Sequence, residues 1–256
     1  MAEERPNIAR FRFYEELNDF LPKHQRKRTF DYAFQGRPAV KNAIEGMGVP
    51  HTEVDLILVN GASVGFGHPP HHGDFVSVYP VFEAFDISPL VKLHKRPLRH
   101  PAFILDVHLG TLARRLRLLG FDALYQNDYT DPEIVAIAAR EGRIILTRDR
   151  GLLCRKAVTR GCRIRAQAPE LQVREVLDRF DLYGQAAPFT RCTACNGRLD
   201  PVPKGEVSAA LPPGTRRSHD AFFRCRACGK IYWEGAHFSR LNALVKQYLN
   251  RRPERC

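Results

Sequence analysis

Ala102-Phe-Ile-Leu-Asp106-Val-His-Leu-Gly-Thr-Leu-Ala-Arg-Arg-Leu-Arg-Leu-Leu-Gly120 changes its period partway through. Ala102–Leu105 is a short unbroken apolar run ending on a carboxylate, as in an interior strand. After it, Leu109, Leu112, Ala113, Leu116 and Leu119 recur at helical spacing until Gly120 stops the pattern. Strand, acid, helix is the resulting reading, with Arg114, Arg115 and Arg117 on the other faces of the helix.

Downstream the alternation repeats. Ala123-Leu-Tyr125 reads as a second short strand, and Thr130-Asp-Pro-Glu133 as the opening of a helix with Thr130 or Asp131 as its cap. Ile134, Ile137 and Ala138 give that helix a buried face, and Arg143-Ile-Ile-Leu-Thr147 is a third strand running into Arg148-Asp149. A βαβαβ run this compact predicts a parallel sheet with helices on both faces. Val158–Ala166 and Pro169–Phe180 are candidates for a further strand and helix.

Upstream, residues 8–88 read as a small unit of another kind. Ile8–Tyr14 and Thr29–Phe34 alternate, Pro38 introduces a helix over Val40–Met47, and Val54–Val59 is a strand ending at the turn Asn60-Gly61. Gly73-Asp74 precedes a last strand, Phe75–Tyr79. Strand–strand–helix–strand–strand is the order of a β-grasp, ubiquitin-like fold. His51, His68, His71 and His72 sit among Pro and Gly, which favours a solvated loop over a metal site. The proline-rich, basic residues 89–101 are the expected linker, followed by the α/β domain at 102–188.

Residues 189–256 carry Cys192-Thr-Ala-Cys195 and Cys225-Arg-Ala-Cys228, two Cys-x-x-Cys knuckles 29 residues apart. Four thiolates at this spacing predict a structural zinc ribbon rather than disulfides, with Gly197 and Gly229 suited to the tight knuckle turns. Four protein ligands leave zinc no open position, so chemistry is expected elsewhere. Cys154, Cys162 and Cys256 leave an odd number outside the ribbon, which fits a reducing, cytoplasmic setting. Met1–Pro6 lacks the apolar core of a signal peptide, and with no uncharged apolar run of 18 residues no transmembrane helix is expected.

The net charge of +12 is uneven: −3 over residues 1–90, +7 over 91–190 and +8 over 191–256. An arginine-rich body of this kind suits phosphate contacts and base stacking, so RNA is the expected partner. Functional groups of open parallel sheets gather at the carboxyl ends of the strands. Asp106, Asp128, Asp131 and Asp149 all fall there, and clustered carboxylates suit Mg²⁺ or Mn²⁺. Asp131 reads equally well as a helix cap, and Asp128 as a turn residue. Arg148 could contact a phosphate or pair with a neighbouring acid. No glycine-rich nucleotide loop follows any strand, and His108 reads as a capping or packing residue.

Phe103–Phe121 resembles the opening signature of the Mut-seven C-terminal RNase family, and Gly142-Arg-Ile-Ile-Leu-Thr-Arg-Asp-Arg150 its second. Arg191–Gly197 and Cys225–His237 are similar to its ribbon, and residues 9–86 to the ubiquitin-like domain often fused ahead of it. The resemblance implies a PIN-like ribonuclease with Asp106 and Asp149 as metal-binding acids and Asp131, beside Asp128, as the middle one. Asp178 or Asp181 is the candidate fourth acid. Arg114, Arg115, Arg148, Lys230 and Trp233 would contact RNA, with tRNA among the candidate substrates; Trp233 and Tyr232 could instead pack against the ribbon's zinc knuckles. The ubiquitin-like segment continues into the next domain without a free Gly-Gly terminus, so a docking or RNA-orienting role is expected of it, not conjugation. A homodimer is a further expectation. The competing readings are a catalytically inactive RNA-binding or ribosome-associated module, and a scaffold whose ubiquitin-like domain docks a protein.

Overall fold

The computed structural model describes residues 6–80 and 101–250, so residues 89–100 of the expected linker, and Cys256, lie outside it. The chain divides into two compact units. One holds residues up to Arg99 together with Asp149–Arg163; the other holds His100–Arg148 and Ile164 onward.

In the first unit a five-stranded sheet runs β2-β1-β5-β3-β4, with β1 at Asn7–Phe13, β2 at Phe30–Phe34, β3 at Val54–Val59, β4 at Ala62–Val64 and β5 at Phe75–Pro80. The outer partners are antiparallel, but β1 and β5 pair in parallel, Phe11 opposite Val76. That parallel centre between first and last strands is the β-grasp arrangement. Alternation in β1 sends Ala9, Phe11 and Phe13 inward against Val40, Ala43 and Ile44 of helix α1 (Val40–Gly46), so one sheet face and one helix face share a core. Asn60 and Gly61 both have positive φ (51° and 85°) and join β3 to β4 in a two-residue hairpin. The strand β4 was not foreseen: three residues are too few to show a period.

The second unit is built on three parallel strands in the order β7-β6-β8: β6 at Ala102–Leu105, β7 at Asp122–Leu124 and β8 at Ile144–Thr147. Phe103, Ile104 and Leu105 are fully buried, as a strand between two others must be. Helix α2 (Gly110–Leu118) follows β6 and buries Leu112, Ala113 and Leu116. It ends at Gly120, where φ is 91° and a side chain would strike the Ala187 carbonyl, so only glycine fits. Helix α3 (Asp131–Glu141) precedes β8 and stops at Gly142 in the left-handed conformation.

Asp149–Arg163 belongs to the first unit. It contains a one-turn helix α4 (Arg150–Leu153) and a short strand β9 (Gly161–Arg163). His51, expected in a solvated loop, is instead buried: Nδ1 meets the Glu45 carboxylate at 2.6 Å and Nε2 meets the Val158 carbonyl at 2.8 Å. Glu53, fully buried, accepts the Arg163 backbone N–H at 2.6 Å, and the Arg163 guanidinium lies over the Phe20 ring. A buried carboxylate left without such a donor would be costly, so these bonds specify where the segment sits.

In the second unit, helix α5 (Pro169–Arg179) buries Val173, Val176 and Leu177. Beyond it a three-stranded antiparallel sheet runs in chain order through β10 (Leu199–Val202), β11 (Phe222–Cys225) and β12 (Ile231–Trp233). Its apolar core is small: Val202, Val207, Leu211 and Phe222, with Ile231 and Trp233 packed against it. Helix α6 (Phe238–Leu249) closes the described chain and buries Val245 and Tyr248. Among the described residues no helix is long and apolar enough to cross a membrane.

Candidate metal centre and nucleic-acid interface

The two knuckles have the same backbone design. Cys192 N–H donates to Gly197 and Cys225 N–H to Lys230, each five residues on; Asn196 and Gly229 N–H return to the carbonyls of Cys192 and Cys225. The residue after each second cysteine is left-handed, Asn196 and Gly229 both at φ 73°. Asparagine tolerates that conformation and glycine is indifferent to it. Gly197, expected to supply the turn, has another duty: a Cβ there would lie 2.7 Å from the Cys225 sulfur.

The turns bring four sulfurs together, all within 4.8 Å of one another. Cys192 and Cys228 are 3.7 Å apart, Cys195 and Cys225 3.4 Å. A disulfide needs about 2.05 Å, whereas tetrahedral zinc at about 2.3 Å from each sulfur spaces them by about 3.8 Å. The donor set fits zinc. Burial works against the Cys192 thiolate, but the Tyr232 hydroxyl at 3.1 Å and the backbone amides of Ala194 and Cys195 bring this thiol down to about 6. Burial and the three neighbouring sulfurs push Cys195 up to about 12. Crowded thiols cannot all ionise unaided, and a divalent cation is what removes that conflict.

The first knuckle is fastened to the parallel sheet. Arg117, read from sequence as surface-facing, is 2% exposed and donates to the carbonyls of Ala123 (2.7 Å), Ala194 (2.8 Å) and Thr193 (3.3 Å). Burial lowers its affinity for its proton, while the sulfurs of Cys195 and Cys192 and the Asp122 carboxylate favour the charge. Asp122, unassigned from sequence, is the counterpart acid. It takes Arg143 at 2.6 Å, Asn196 at 2.8 Å and Arg191 at 3.2 Å. Burial alone would raise its carboxyl, but these bonds hold it below the usual range.

Of the predicted acids, Asp106 is the most organised. It is 5% exposed and stands directly after the central strand β6. Oδ1 accepts the His108 N–H at 2.9 Å; Oδ2 accepts the Arg148 N–H at 3.0 Å and the Thr147 hydroxyl. Thr147 had no assigned role; only the fold brings the end of β8 beside that of β6. A carboxylate offers about four acceptor positions, so three donors leave Asp106 about one for a cation. Thr130 caps α3 in a capping box with Glu133, so Asp131 is not the cap; it is half-buried in the first turn. Asp149 is exposed, in the other unit, and caps α4 through the Gly151 N–H at 2.8 Å. Asp178 accepts the Tyr183 hydroxyl.

Among the described residues, the groups of three or more His, Cys, Asp or Glu side chains with donor atoms within 4.8 Å are the four cysteines and His68-His71-Asp74. The predicted acids belong to neither.

A cleft of about 670 Å³ in the second unit is lined by Arg114, Lys230, Asp128, Tyr125, Asn127 and Thr193. It gathers three of the residues singled out from sequence beside the first knuckle. Arg115 is held elsewhere, by Glu170 at 2.7 Å. Trp233 is half-buried and packs against the ribbon core, with its indole edge over Gly235. The Tyr232 hydroxyl is engaged by Cys192 and Thr193.

Residues 101–245 match the Mut7-C RNAse domain and residues 6–86 match Mut7-C ubiquitin, in that order along the chain. No curated protein and no solved structure matches the chain. The RNase model covers more than half of the sequence and takes in the four-cysteine ribbon, and the β-grasp sheet stands ahead of it: the chain belongs to the Mut7-C RNAse domain family, with a Mut7-C ubiquitin domain ahead of it.

Proposed function

We propose that the protein is a metal-dependent ribonuclease in which Asp106 anchors Mg²⁺ or Mn²⁺, with Asp149 and one of Asp131 and Asp128 as further acids. The observation that carries this reading is the buried Asp106 carboxylate, held by three donors at the end of the central parallel strand with an acceptor position to spare. Such a cation supplies an activated water and steadies the leaving oxygen of a phosphodiester. Thr147 and the Arg148 amide fix the carboxylate's orientation. Arg114 and Lys230 in the polar cleft supply phosphate contacts. Zinc in the ribbon is structural: its four thiolates hold the knuckle that forms one wall of that cleft.

The family match supports nuclease activity in general terms; RNA as substrate, with tRNA a candidate, rests also on the basic charge of the same region. The ubiquitin-like domain serves protein docking or orientation of the RNA. The test is cleavage of labelled RNA in Mn²⁺ by the wild type, Asp106→Asn and Asp149→Asn. Loss of an outer-sphere partner alone costs about 10- to 100-fold in metal sites, so each variant should lose at least about a hundredfold in rate while still binding RNA. Equal trace cleavage by all three would assign the activity to a contaminant. One observation favours an RNA-binding module without catalysis: the predicted acids are absent from the converging groups. Tight RNA binding without Mn²⁺-dependent cleavage would establish that second reading.

A further inference from the structure

We propose that His68, His71 and Asp74, in the loop before β5 of the ubiquitin-like domain, form a binding site for a divalent transition-metal ion of the zinc class. The residues stand at His-x-x-His-x-x-Asp spacing, and one ligand atom from each lies within 4.8 Å of the others. His71 Nδ1 is 3.6 Å from Asp74 Oδ2. Ligand bonds of about 2.0–2.2 Å to one ion place neighbouring donors about 3–4 Å apart, so little movement separates this arrangement from a coordinated one.

The loop is built to hold its shape. Pro69 and Pro70 fix the backbone between the two histidines. The His68 carbonyl accepts the Val40 N–H at 2.7 Å, tying one end to the start of α1. At the other end Gly73 N–H donates to Ile8 at 2.7 Å, and His72 Nδ1 accepts the Ile8 N–H at 3.1 Å. His72 is thereby spent on anchoring, which leaves His68 and His71 as the ligands. Asp74 is oriented as ligating carboxylates are, by outer partners: Asn60 donates to Oδ1 at 2.8 Å and the His71 backbone to Oδ2 at 2.7 Å.

The donor chemistry selects the class of ion. Two imidazoles and one carboxylate suit zinc, cobalt, nickel or copper, whereas magnesium prefers oxygen alone. The surroundings select the kind of site. Three protein ligands leave a position for water, and the His71 side chain is 57% exposed, so this ion would exchange with solvent, unlike one enclosed by four cysteines. Neither the ribbon nor the nuclease reading is needed for the inference.

The experiment uses the untagged full chain with the ribbon's zinc in place, dialysed against micromolar zinc and analysed for metal per chain. Two equivalents are expected for the wild type and one for His68→Ala/His71→Ala; Asp74→Asn should bind the second at least about tenfold more weakly. Titrated with Co²⁺, the wild type should develop visible absorption without the thiolate charge-transfer bands of a cysteine site. Should the double variant misfold, His71→Ala alone suffices, because its side chain is exposed. One equivalent in the wild type, or a second equivalent that survives the His71 substitution unchanged, would overturn the proposal.

Discussion

The ribbon and the strand-end acids are both proposed metal-binding regions, and they are organised in opposite ways. Each ribbon ligand sits in a local turn whose hydrogen bonds repeat from one knuckle to the other, and the four sulfurs already stand at zinc spacing. The acids are satisfied one at a time: Asp106 by Thr147 and two amides, Asp149 by the helix it caps. Four thiolates brought together without a cation repel one another, so the ribbon's geometry has meaning only with its metal. A capped carboxylate is stable alone and can await a cation that arrives with substrate. The contrast is between metal as part of the fold and metal as reagent.

Removing zinc should produce the largest effect. Structural zinc contributes on the order of 10–16 kcal/mol to folding of small zinc domains, and the ribbon's own apolar core is four residues with two partners. Chelation, or Cys225→Ser, should abolish hydrogen-exchange protection in β10–β12 while β6–β8 stay protected. Persistent protection in β10–β12 would mean the ribbon stands on its apolar core, and the contrast would collapse.

Arg117→Ala comes next, at about 3 kcal/mol by urea unfolding, because buried carbonyls of Ala123 and Ala194 lose their donor at about 1–3 kcal/mol each. Arg117→Lys should recover little, since an ammonium cannot span carbonyls the guanidinium reaches together. Smaller still is Asp122→Asn, about 2 kcal/mol at neutral pH. The Asp122 carboxyl is depressed below its ordinary value of 3.8, so its contribution is present above that pH and lost as the pH falls through the lower folded value. Wild type and Asp122→Asn should therefore converge in stability under acid. A gap that stays constant with pH would assign the effect to packing. The smallest change is Lys230→Ala, which should leave stability unaltered and reduce the slope of log affinity for RNA against log salt by about 1.

What could be read in the sequence was whatever is encoded locally. The period change at Asp106, the hairpin at Asn60-Gly61 and the paired knuckles each lie within a few residues, and each appears as expected. Arg117 shows where local reading fails. On the helix alone it belongs to an outer face, and only the ribbon, more than seventy residues on, turns that face into an interior. Asp122 and Thr147 escaped notice for the same reason, their partners being remote in sequence. His51 was misjudged because Pro and Gly around it suggested a loop, when its acceptor is Val158.

That last bond has a consequence for anyone who cuts the molecule apart. Val158, Arg163 and Arg150 all contact the ubiquitin-like head of the chain, at His51, Glu53 and Phe20. Two fragments, residues 1–90 and 91–256, would therefore still co-purify when expressed together. Expressing residues 1–90 alone would bare the Glu53 carboxylate and the His51 ring, giving a sticky, less stable piece whose behaviour would misreport what the head does in the whole chain.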